Sequence, residues 1–316
     1  MGLSREYPHS FEDALRLATE MLSKDAGLVS RGVVDTEAEQ IVCAAYRRAT
    51  GEGMSRLELF TRMKDRFPEE AGEQVIIMSG ARAEGKILQH LTGFQCFMDH
   101  EYEVTPDVLV PRPETELLAA VAIEDLAGKE PRLGLEVGLG SGILSIELLS
   151  AFDDLKMIAS ELTDGAAACA KKNAERILGK SAQSRLMIVR AKHSGEVLEP
   201  LQSQLEAPLR PDFLISNPPY LTSEDSIESD VLAHEPHTAL FAPKEDALYF
   251  YRRIAEDARS VLVPRGSVYL ETPAERAAEI GRVFEGFGWE CQLLLDFNSR
   301  PRILKGTLTG KGTYNG

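Results

Sequence analysis

The sequence is poor in cysteine, with Cys43, Cys96, Cys169 and Cys291 widely separated among 316 residues and no CxxC pair. That spacing argues against a zinc site or a disulfide framework, and leaves reduced structural thiols as the expectation. Long apolar runs are missing too, and none approaches the ~20 residues of a membrane span. The first ten residues carry charge and Pro8 and lack the apolar centre of a secretion signal, so a cytoplasmic protein without a membrane partner is expected. His90, His100, His193, His234 and His237 are scattered without metal-ligand spacing, and no metal is expected. Positive charge is in deficit. Lys and Arg number 35 against 50 Asp and Glu, a formal charge of −15. Such a surface repels nucleic-acid phosphates, which counts against direct nucleic-acid binding. A monomer is expected, and there is no internal repeat.

What is present reads as a globular chain of 43% hydrophobic and 27% charged residues. Residues 1–85 show no strand signal. Phe11, Ala14, Leu15 and Ala18 recur at helical spacing, as do Ala38, Ile41, Val42, Ala45 and Tyr46. Asp35, Thr36 and Glu37 supply capping and acidic residues before the second of these helices. A third segment opens near Ser55, and a fourth runs from Gly72 to Glu84. This predicts an N-terminal all-α bundle over 1–85. It carries no chemistry motif, which fits a substrate-docking domain. From His90 the texture turns aromatic and β-branched (Phe94, Phe97, Tyr102, Val104, Val108), which predicts a hairpin-like linker over 86–112. From Leu133 short apolar runs alternate with helical segments. That pattern predicts an α/β domain over 113–306, a doubly wound, mostly parallel sheet whose last strand is antiparallel. The Gly- and Thr-rich tail, 307–316, is expected to be disordered.

Two motifs carry chemistry. Glu136-Val137-Gly138-Leu139-Gly140-Ser141-Gly142 follows a strand and opens a helix. Its glycines permit positive φ and close approach of a ligand to the backbone. Ligands of open α/β sheets bind beside such a turn. Glu161 falls at the end of the next strand, where an acid would hold ribose hydroxyls. The G-x-G-x-G spacing differs from the dinucleotide pattern and favours a nucleoside cofactor without a pyrophosphate. The second motif, Asn217-Pro218-Pro219-Tyr220, ends the strand Phe213–Ser216. The two prolines fix φ and remove two donors. Acceptors remain: the Asn217 side-chain oxygen and the Pro218 carbonyl. Two acceptors suit the two hydrogens of a planar NH2 group, turning the nitrogen lone pair towards an electrophilic methyl. Tyr220 offers an aromatic face to a planar group.

With these motifs the chain resembles the protein-(glutamine-N5) methyltransferases that modify peptide chain release factors. Further support comes from Arg82 to Gly93, from Leu109-Val110-Pro111-Arg112-Pro113-Glu114-Thr115-Glu116, and from Glu235-Pro236-His237-Thr238-Ala239-Leu240. The resemblance implies a Rossmann-like class I methyltransferase domain behind a helical bundle, S-adenosylmethionine as cofactor, and the glutamine of the release factors' Gly-Gly-Gln loop as substrate. By resemblance, Asn217, Pro218, Pro219 and Tyr220 form the catalytic segment. Glu136, Gly138, Gly140, Gly142, Glu161 and Asn217 bind the cofactor. Arg112, Thr115, Asn217, Pro218 and Tyr220 meet the substrate, though Arg112 reads equally well as a structural ion-pair partner. Two positions depart from the family pattern. Lys192 falls where an acid usually meets the adenine amine, and Glu271-Thr272-Pro273 replaces a Glu followed by a glycine-rich turn. Two other functions stay open: N-methylation of an exocyclic amine in nucleic acid, and a non-catalytic binding protein on the same fold.

Overall fold

A computed structural model describes residues 7–191, 198–204, 210–225 and 229–309. The chain divides into two compact units, Met1–Phe94 with Glu228–His234, and Gln95–Ile227 with Glu235–Gly316.

The first unit is helical: Phe11–Leu22, Ala26–Arg31, Val34–Thr50, Arg56–Thr61, Glu69–Ala83, Leu88–Thr92 and Ser229–His234. Ser10 caps the first helix by accepting the Asp13 N–H, and Ser55 opens the fourth with a reciprocal capping box to Glu58. The third helix begins at Val34 without a side-chain cap. Asp35 and Glu37 therefore lie inside its first turn, where acids favour the helix dipole. Ala14, Ala18, Ile41, Val42, Val75 and Met78 fill the core around Phe11 and Phe67, whose rings meet edge-on at 4.8 Å. Arg82 clasps Glu37 with two bonds, 2.6 and 3.0 Å, and donates to the Lys86 carbonyl. Leu88–Thr92 is a helical turn inside the stretch read as linker, closed by Gly93 at φ +86°.

The hairpin strands β1 (Phe94–Phe97) and β2 (His100–Glu103) precede a helix, Pro113–Leu126, that starts with proline at its first position. The main sheet follows. It contains β3 (Leu133–Val137), β4 (Lys156–Glu161), β5 (Leu186–Arg190), β6 (Phe213–Ser216), β7 (Ser267–Glu271), β8 (Trp289–Leu295) and β9 (Pro301–Leu308). Their order is β5-β4-β3-β6-β7-β9-β8. β3 to β7 are mutually parallel, and β9 lies antiparallel between β7 and β8. Strand order reverses at the β3–β6 pair, which opens the crevice where such sheets bind ligands.

Alternation along the strands builds a core layer on each face. Leu214, Val268 and Leu270 join Leu135 and the helix Tyr249–Val261 on one side. Phe213, Ile215 and Tyr269 join Leu118, Ala122 and Leu148 on the other. Gly134 makes room for Phe213: a Cβ there would run into the Phe213 ring and the Met157 sulfur. β9 corrects the expectation for the tail. Thr307 pairs with Ser267 and Glu290, and Leu308 with Trp289, so 307–308 belong to the sheet. Residues 310–316 lie outside the described residues. Among the described residues, no helix is long and apolar enough to cross a membrane.

Candidate active site

The glycine loop springs from β3 and hangs on β4. Gly138 and Leu139 both donate to the Ser160 carbonyl, at 3.1 and 3.0 Å. Gly138, Gly140 and Gly142 stand at φ +76°, +56° and +88°, a region in which a side chain is strained. A Cβ on Gly138 or Gly140 would meet nothing within 4 Å, so the loop leaves open space where a ligand can lie against backbone. Gly142 differs. A Cβ there would press on Ile146 and Ala170, so the missing side chain of this glycine also makes room for helix packing.

Two acids hold the loop and the helix that follows it. Oε2 of Glu161 accepts the Gly140 N–H at 2.9 Å, and Oε1 accepts those of Leu162 and Thr163 at 2.7 and 2.9 Å. Glu136 is 1% exposed, and its Oε2 accepts both the backbone N–H (3.0 Å) and the hydroxyl of Ser145, at the start of the helix Ile143–Ala151. Burial lifts the Glu136 carboxyl to about 8, the Ser145 bonds oppose that, and the charge of Glu161 adds to it. Its two bonds to Ser145 tie the end of β3 to the first turn of that helix, and Glu136 is also a wall of the cleft.

Asn217 stands just past β6, across from the loop. The parallel register sets Glu136 beside Ile215, and the Ser216 hydroxyl donates to the Val137 carbonyl at 2.7 Å. Asn217 Nδ2 donates to the Thr115 hydroxyl at 3.2 Å, and that hydroxyl donates to Glu271 Oε2 at 2.7 Å. Glu271 closes β7, and burial lifts its carboxyl to about 7, with the Thr115 bond opposing. Arg112 donates to Oε2 of Glu235 at 2.6 Å, while Oε1 of Glu235 accepts the Val110 N–H at 3.0 Å. This buried carboxylate holds Val110 and Arg112 beside the cleft. Burial raises its pKa and Arg112 pulls it back. Arg112 is thus both an ion-pair partner and a cleft residue.

One cleft is lined by Arg112, Thr115, Glu136, Gly138, Gly140, Glu161, Asn217 and Pro219. Pro218 is buried beside it, and Tyr220 packs against the apolar layer under the helix Tyr249–Val261. Burial, then the charge of Glu271, pushes the Tyr220 phenol up to about 12. Lys192 lies outside the described residues. Three functional positions escaped the sequence reading: Glu271 as a partner of Thr115, Glu235 as a clasp, and Asn173. Asn173 is fully buried. Its Nδ2 donates to the carbonyls of Glu103 and Ser141, both at 2.9 Å, and its Oδ1 accepts the Glu103 N–H at 2.7 Å. It ties β2 to the glycine loop. The available signal was an asparagine on the small apolar face of a helix, among Ala166, Cys169, Ala170 and Ala174.

No family model matches the chain. Individual relatives do. It is 31% identical over 265 residues to the release factor glutamine methyltransferase of Burkholderia pseudomallei, covering 82% of this chain and 88% of that one. The protein of the same name from Geobacter sulfurreducens is 30% identical over 289 residues, covering 89% and 93%. That of Bacteroides thetaiotaomicron is 32% identical over 220 residues, covering 69% and 74%. Identity at this level over most of both chains, with the α/β sheet and cleft described above, establishes that the chain belongs to the release factor glutamine methyltransferase family.

Proposed function

We propose that the cleft transfers the methyl group of S-adenosylmethionine to the side-chain amide nitrogen of a glutamine, in the Gly-Gly-Gln segment of a peptide chain release factor. The observation that carries this reading is the placement of Asn217 at the carboxyl end of β6, beside a glycine loop held open by Glu161 at the sheet's reversal point. The cradle suits the cofactor. Gly138 and Gly140 leave space for it against the backbone, and Glu161, with one donor on Oε2, retains acceptor capacity for ribose hydroxyls. When bound, the cofactor supplies a methyl group already activated by its sulfonium.

The protein's task is then proximity and orientation. The Asn217 oxygen and the Pro218 carbonyl accept the two hydrogens of the substrate amide and hold its nitrogen with the lone pair out of conjugation. No general base is assigned, because the nitrogen gives up a proton only after it has been alkylated. The helical unit is the docking surface for the protein substrate in this reading. The test is incubation of the full chain with release factors and labelled cofactor, followed by mass-spectrometric mapping. A methylated glutamine is expected. Label in adenine or guanine amines of nucleic acid, with none in protein, would overturn the proposal.

A further inference from the structure

Thr115 lines the cleft, yet its hydroxyl is committed to other side chains. It is 2% exposed, in the first turn of the helix Pro113–Leu126, and takes part in two hydrogen bonds, one with Glu271 and one with Asn217. A hydroxyl owns a single proton. Above the Glu271 pKa of about 7 its carboxylate has no proton to give, so there the Thr115 proton lies on the Thr115–Glu271 bond. Only lone pairs then face Asn217, and only the NH2 end of an amide can fill them. The Asn217 oxygen is thereby turned away from Thr115. Glu271 is itself held firmly, paired with Ile303 in the sheet, 4% exposed, and with its backbone carbonyl accepting the Tyr251 hydroxyl at 2.9 Å.

We infer that Thr115 and Glu271 are positioning residues that fix, through the direction of one proton, which end of the Asn217 amide meets the substrate. The inference rests on the reading of Asn217 as an anchor of the substrate amide. Its chemical logic is specific. An unguided asparagine can present either end, and a flipped Asn217 would set its own NH2 against the NH2 it must hold, donor against donor. The relay runs from β7 through a helix to the loop after β6, so its geometry is set by packed elements.

The relay predicts an inequality that a packing role does not. Removing the Thr115 hydroxyl leaves the Asn217 amide undirected. Removing the Glu271 acceptor does worse, because the Thr115 proton is freed to bond the Asn217 oxygen and stabilise the wrong end. The experiment is single-turnover methyl transfer from S-adenosylmethionine to a release factor by the full chain, at a pH above the Glu271 pKa of about 7 so that its carboxylate is ionised, with S-adenosylhomocysteine affinity and thermal unfolding recorded for each variant. Thr115→Val is expected to slow transfer roughly 2- to 10-fold, the rate equivalent of one neutral hydrogen bond, and Glu271→Leu a further 2- to 10-fold or so. Thr115→Ser should recover most of the rate. Adding Thr115→Val to Glu271→Leu should raise the rate above that of Glu271→Leu alone. Wild-type rate in Thr115→Val, or a double variant slower than both singles, would overturn the inference. If Glu271→Leu does not fold, the Asn217→Ala background decides: there Thr115→Val should cost nothing more, and a further loss equal to that in the wild type would overturn the relay. Should Asn217→Ala itself transfer methyl at the wild-type rate, the underlying reading of Asn217 fails instead.

Discussion

The backbone N–H of Gly140 bonds Oε2 of Glu161 across 2.9 Å, so the acid expected to hold the cofactor also closes the glycine loop onto β4. The other oxygen of the same carboxylate accepts the N–H groups of Leu162 and Thr163 at the mouth of the helix Asp164–Leu178. One side chain therefore sets the shape of the cradle and faces into it.

Glu161→Gln leaves one accepting oxygen where two are in use. Either Gly140 or the Leu162–Thr163 pair loses its acceptor. Hydrogen bonds to a charged group are worth roughly 1.5–3 kcal/mol, so the variant should bind S-adenosylhomocysteine at least tenfold or so more weakly while keeping its helical signal. Calorimetric titration checks this, and wild-type affinity in the variant would remove Glu161 from the cofactor site.

The Arg112–Glu235 pair makes a stability prediction. Glu235→Ala takes the partner from Arg112 and the acceptor from Val110. Arg112 is 38% exposed, so water takes over part of its charge. The loss should fall below the ~3–5 kcal/mol typical of breaking a fully buried pair. Urea unfolding measures it. Cofactor affinity should fall as well, because Val110 and Arg112 form a wall of the cleft, and an unchanged affinity would make the clasp purely structural.

Two buried acids give the protein a pH-dependent stability. Burial lifts Glu136 from 4.5 to about 8 and Glu271 from 4.5 to about 7. A carboxyl raised on folding contributes stability that is complete below its unfolded pKa and is lost as pH rises through the folded value. Their contribution should therefore decline between about pH 5 and pH 8. Glu136→Gln should flatten that decline in urea unfolding at several pH values, and an unaltered slope would assign it to other groups.

Much of this site was legible because its chemistry demands particular residues at strand ends. Asn217-Pro218-Pro219-Tyr220 and the glycine loop announce themselves, and the pairing of Glu136 with Ile215 follows once two parallel strands are recognised. The connections between them were not legible. Thr115 meets Asn217 across 102 residues and Glu271 across 156, distances over which no periodicity speaks. The tail from 307 read as loose from its glycines and threonines, yet Thr307 and Leu308 pair in the sheet, and the missing side chain of Gly306 just before them lets Val268 and Trp289 pack against β9. Gly142, read as part of the cradle, also makes room for Ala170, a packing duty the motif did not announce. Leu88–Thr92 was hidden by the aromatic strands after it.

The docking role of the helical unit can be tested without dissecting the chain. Leu57 and Phe60 are 76% and 45% exposed on the helix Arg56–Thr61, three residues apart and thus on one face. Leu57→Ser with Phe60→Ser should raise KM for intact release factor several-fold and leave S-adenosylhomocysteine affinity alone. An unaltered KM would place docking elsewhere.

The central claim is that Asn217 aims the substrate nitrogen. Asn217→Ala removes one acceptor, while the backbone carbonyl of Pro218 remains. Losing a preorganised interaction of this kind typically costs about 2.7–4 kcal/mol in the barrier, roughly 10²–10³ in rate. Asn217→Asp keeps an oxygen but cannot donate to Thr115, so it should retain more activity than alanine and less than asparagine. The decisive measurement is single-turnover methyl transfer to a release factor by wild type and both variants, each shown to bind S-adenosylhomocysteine normally. The account predicts the order wild type, Asp, Ala, with alanine slower by two to three orders of magnitude or so. Transfer by Asn217→Ala at the wild-type rate would contradict it.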